Sequence, residues 1–148
     1  MADDQAAAVT QQLLLQIARA ASAITLEVTA NLVEACPVDT GHARANFVPG
    51  IGSPVTGDAD GAGPQQAGTA AVLRYRLGDG PLNITNNVPY IGRLIGGWSK
   101  QAPAGWDIAA IDAGVATIQA QYDHLKIEVT RGDSPSVTVT PRTPHGES

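Results

Sequence analysis

The chain has 148 residues, a formal net charge of −5, and only 16% charged and 4% aromatic residues. That length suits one domain with a substantial core, and the sparse surface charge points to a surface partly covered by partners. The acidic balance argues against a protein that grips nucleic acid, since neutralising phosphates takes lysine and arginine, and it does not argue against a channel through which DNA merely slides. The single cysteine, Cys36, excludes an internal disulfide and a cysteine-based zinc site. The N-terminal MADDQAAAV has no basic region and does not read as a signal peptide. With no run of about 18 apolar residues, no membrane span is expected.

Asp3 and Asp4 suit the positive end of a helix dipole. Val9, Leu13, Ile17, Ala20, Ile24, Val28 and Leu32 then recur every three or four residues. This predicts an amphipathic helix to Glu34, about 45 Å long, ended by Pro37, with Cys36 as a small buried thiol. A helix that long outruns a small domain, so one end is expected to pack on a neighbouring subunit. Asp39-Thr40-Gly41 reads as a turn capping a short helix through Arg44. Cys36, Asp39 and His42 are discounted as a nucleophilic set, because such sets are assembled from distant segments. Residues 46–49 read as a strand with Pro49 at a sheet edge. Residues 53–68, rich in glycine, read as a flexible loop, and no G-K-S/T follows to make a phosphate cradle. Thr69 is expected to cap a short helix over residues 70–75. A turn at 78–81 leads to a strand over 82–85, whose Asn83-Ile84-Thr85 spells a glycosylation acceptor by chance.

The stretch from Ile84 to Gly105 is the most punctuated of the chain. Asn86 and Asn87 are turn formers, and Pro89 holds Val88 extended. Tyr90, Arg93 and Leu94 are spaced for one face of a short helix, with Gly96 and Gly97 as left-handed caps. Residues 99–105, SKQAPAG, form a fixed loop between Trp98 and Trp106. A second long helix is expected from Asp107, on Ile108, Ile111, Val115, Ile118 and Tyr122. Residues 125–130 fit its continuation but also alternate like a strand, as do 137–140. A hairpin around the turn at 131–135 is favoured, followed by a polar tail.

The strand end I-T-N-N-x-P-Y, the short helix, and S-K-Q-A-P-A-G before a long helix form one motif. Pro37-Val38-Asp39-Thr40-Gly41 followed by Arg44 forms another. In this order they resemble the tail-completion, or head–tail joining (neck), proteins of long-tailed double-stranded-DNA phages and prophages, of the minor tail protein Z type. The chain departs from the family pattern at Ile95, where an acid is usual, and at Phe47, where tryptophan is usual. The resemblance covers roughly residues 37–120. It implies an α+β fold, with the long N-terminal helix and the second long helix packed on a small, mostly antiparallel sheet. The residue pattern adds a C-terminal β-hairpin arm over 125–148 to a domain over 1–124. The resemblance further implies a structural virion protein, assembled in the host cytoplasm, that forms a homo-hexameric ring at the top of the tail. Its partners would be the tail tube protein and a head-completion, stopper or connector protein, with DNA passing through an open lumen and neither cofactor nor membrane involved. The motif and interface residues it marks are Asp39, Thr40, Gly41, Arg44, Asn86, Asn87, Pro89, Tyr90, Arg93, Trp98, Ser99, Lys100, Gln101, Pro103 and Gly105.

The alternative is a small hydrolase or a small-ligand-binding domain. His42, His124 and His145 lie at no metal-ligand spacing, and neither H-E-x-x-H nor G-x-S-x-G occurs. Asp107 and Asp112 are five apart and do not share a helix face closely. The low aromatic content disfavours a ligand pocket.

Overall fold

The first helix, α1, runs Ala2–Ala35, as its spacing predicts. The computed structural model describes residues 2–37, 41–97, 102–132 and 136–141. Ile17, Ala20, Ile24, Val28 and Leu32 are all buried, whereas Val9 is 67% exposed. Every residue from 4 to 12 is exposed, so the first turns of α1 project beyond the domain. By length and hydropathy alone Asp4–Ala35 would pass for a membrane-crossing helix, its best window averaging 1.3, but 44% of that window lies inside the protein. The hydroxyls of Thr25 and Thr29, buried in this helix, donate to the Ala21 and Thr25 carbonyls at 2.9 and 2.7 Å, which satisfies them locally.

After α1 come a four-residue helix α2, His42–Ala45, strand β1, Val48–Ile51, and helix α3, Gly63–Leu73. Strand β2, Leu82–Thr85, helix α4, Ile91–Ile95, and helix α5, Trp106–Gln119, follow. A 3-10 turn at Ala120–Tyr122 leads to strands β3, Ile127–Arg131, and β4, Val137–Pro141. The fold is α+β. Among the described residues, four strands form one antiparallel sheet in the order β1-β2-β4-β3. Ile84 faces Val137, and Leu82 faces Val139, which in turn faces Val129. These side chains form one apolar face, as period-two alternation requires, and α1 lies on it. Helix α5 packs along α1, and α3 packs against β1.

Two glycines set the spacing of these layers. A Cβ on Gly114 of α5 would stand 2.9 Å from Val28 Cγ2 and 3.0 Å from Val28 Cα, so the two helices cross with no room for a side chain between their backbones. Nearby, Asn31 Nδ2 donates to the Ala110 carbonyl at 3.2 Å. A Cβ on Gly68 of α3 would collide with the Pro49 carbonyl of β1.

Four expectations need correction. The loop expected over 53–68 ends at 62: α3 begins at Gly63 with Pro64 in its first turn, where proline's missing N–H costs nothing, and Thr69 lies inside α3 instead of capping it. What remains of the loop is pinned. Ala59 N–H donates to Asn46 Oδ1 at 2.8 Å, Asn46 Nδ2 returns a bond to the Ala59 carbonyl at 3.0 Å, and His42 Nε2 lies 2.8 Å from Asp58 Oδ1. The strand expected over 46–49 starts at Val48 because Asn46 terminates α2. Finally, the hairpin forms, but not as an arm apart from the domain. Strand β4 lies between β2 and β3, and Val137 and Val139 are fully buried in the main core. Open edges drive strands to pair, and β2 offers the nearest one. The turn residues 133–135 and the tail from 142 lie outside the described residues.

Candidate functional site

The two sequence motifs come together at the lower end of α1. A helix leaves its last carbonyls without intrahelical donors. Arg44 supplies them: its Nε donates to the Cys36 carbonyl at 2.8 Å and its Nη2 to the Glu34 carbonyl at 3.0 Å. A cation at the negative end of the dipole adds to this. Gly41, with φ +73°, begins α2 in the left-handed region, which glycine enters without Cβ strain. Cys36 is 1% exposed, and burial pushes its thiol up to about 11 despite the Arg44 charge nearby. It is therefore a buried structural thiol.

The second motif is bonded onto the first. Asn86 Nδ2 donates to the Ala43 carbonyl of α2 at 2.8 Å, while its Oδ1 accepts the Val88 N–H at 3.1 Å, the local turn expected of asparagine. Asn87 Nδ2 donates to the Val55 carbonyl at 2.9 Å, pinning the long loop again. Pro89 is exposed and Tyr90 half-buried at the start of α4. The buried residues of α4 are Ile91 and Leu94, while Arg93 points outward. Of the two glycines expected as left-handed caps, only Gly97 has positive φ, +88°.

Gly105, with φ +81°, starts α5, and its N–H donates to the Ile95 carbonyl at 2.9 Å. Trp106 Nε1 donates to the Leu94 carbonyl at 2.9 Å. The Trp106 ring meets Phe47 edge to face, with centroids 6.2 Å apart and planes at 81°, a favoured aromatic geometry. Pro103 is exposed. Asp39, Thr40, Trp98, Ser99, Lys100 and Gln101 lie outside the described residues. Sequence reasoning missed Asn46, Gln65 and Phe47 as the ties between the motifs. Gln65 Nε2 donates to the Arg44 and Phe47 carbonyls at 2.8 and 2.9 Å, a role that its glycine-rich surroundings concealed.

Asp107 is 3% exposed in the first turn of α5, whereas Asp112 is exposed, so the two acids occupy different faces. Among the described residues no three His, Cys, Asp or Glu side chains cluster to hold a metal. Two open concavities lie elsewhere, beside α1, and meet at Leu26 as a groove. One part, of about 480 Å³, runs from Leu26 to Glu34 and is walled by Gln65 and Thr69 of α3. The other, of about 410 Å³, runs from Ala18 to Leu26 and is walled by Leu73 and Tyr75.

Comparison with protein-family models, with curated proteins and with solved structures gave no match.

Proposed function

We propose that the chain is a structural neck protein of a long-tailed phage or prophage. In this reading it forms a ring at the top of the tail, completes or terminates the tail tube, and joins it to the head connector around an open lumen. The observation that carries this reading is the convergence of the two motifs that resemble the family. Arg44 closes α1, Asn86 bonds to the helix that carries Arg44, and Trp106 packs on Phe47 beside them. Residues far apart in the chain thus build one rigid corner. A rigid corner is what a ring subunit needs, because small angular errors accumulate around a closed assembly. The exposed first turns of α1 add a second support: a helix end that stands clear of its own domain and leaves Val9 67% exposed is available to a partner. Negative-stain images of the purified chain, alone and mixed with tail tubes, test the proposal. Rings with a central hole that seat on tube ends are expected. Tubes that keep bare ends at saturating chain concentration would rule it out.

A further inference from the structure

Helix α1 carries two apolar stripes. One, through Ile24, Val28 and Leu32, faces the main core, and Ile17 above them packs with Ala20 and Leu125. The other, through Ala23, Leu26, Ala30 and Val33, forms the floor of the open groove walled by α3. The first turns of the same helix stand in solvent with Val9 67% and Leu15 51% exposed. A continuous helix cannot fold back on itself, so this overhang cannot fill its own groove. We propose that the groove receives the N-terminal overhang of α1 from a second copy of the chain, joining copies head to tail. The inference rests on the ring reading above and supplies its subunit contact.

Shape and charge agree with that occupant. The exposed overhang from Asp4 to Gln12 is about 13 Å of helix, and the groove from Arg19 to Glu34, about 24 Å long, has room for it. The overhang is built mainly from alanine and glutamine, so it is slim enough to lie beside α1. It carries acids and no base before Arg19. The groove's upper end is lined by Arg19, with Leu73, Tyr75 and Tyr122 beside it. At the other end Arg44 is offset by Glu34. The acidic tip therefore matches the Arg19 end, and opposite charge favours encounter and register. Such a contact uses two different patches, so it is heterologous and propagates until it closes.

Val9→Glu and Ala30→Glu test this, since both positions are exposed and neither change disturbs the core. Circular dichroism should give both variants the wild-type melting curve. In sedimentation velocity the wild-type chain should form closed oligomers. Each variant alone should self-associate at least about 100-fold more weakly, because a charge is forced into an apolar contact. Mixed in equal amounts, the variants should give one heterodimer and nothing larger, since only one intact overhang and one intact groove can meet. A mixture that stays monomeric, or a wild-type chain that never associates, overturns the inference. Variants that still close into rings overturn it while leaving the ring reading intact. Open chains of wild type, abolished by both variants, would uphold the inference and remove the ring.

Discussion

Arg44 was legible as a motif residue, but its task was not, because a guanidinium reaching back to the Glu34 and Cys36 carbonyls spans a turn that sequence spacing does not resolve. Arg44→Met keeps the apolar stem and removes both bonds. It should lower stability by about 1–3 kcal/mol, as charge-assisted bonds do, measured by urea unfolding. Tyr90 of the second motif is half-buried, whereas Phe47, named only as a departure from the family pattern, is the fully buried ring. Phe47→Ala should cost about 3–5 kcal/mol and Tyr90→Ala less. Cys36 carries a pH signature. Burial raises its thiol from 9.0 to about 11 in the folded chain, so the folded state holds this proton more tightly than the unfolded one. Stability should be complete below pH 9 and fall as pH rises toward 11. The fall should be smaller in Cys36→Ala, and the native thiol should react slowly with a disulfide reagent at pH 8.

At the level of elements, α1 and the hairpin were legible because each repeats its own period over many residues. Helix α5 was legible in its start but not in its end or its face: it stops at Gln119, before Tyr122, while Ile108, counted toward its apolar stripe, is 46% exposed, and Ala110 and Gly114 are buried instead. Small residues face α1 there because the helices cross too closely for larger ones. Gly114→Ala should therefore destabilise the chain by about 1–3 kcal/mol through overpacking on Val28, although alanine is the better helix former. Equilibrium unfolding reads the sign directly. Helix α3 was largely illegible. Its GPQQAG start looks like a loop, and what makes it a helix is its seat on β1, with Gly68 against Pro49 and Gln65 bonded to the Arg44 and Phe47 carbonyls.

For the whole molecule, the α+β class was expected from the family resemblance, and helices and strands from their periods, but the strand order was not legible. No local signal in Val137-Thr138-Val139-Thr140 says that β4 pairs with β2 as well as with β3. The consequence reverses a sequence-based expectation. A detachable arm could be removed without harm, whereas loss of residues 125–148 strips two strands and uncovers Leu82 and Ile84. The truncated chain should lose its cooperative thermal transition, as calorimetry would show. The overhang of α1 and the groove beside it are both left open to solvent, and the proposed ring would cover them. Native mass spectrometry of the purified chain over a wide concentration range, paired with images of the same samples, tests the account most directly. One closed stoichiometry with a central opening, reached without intermediates that persist, is expected. A monomer that persists at the highest concentration and beside tail tubes would contradict it.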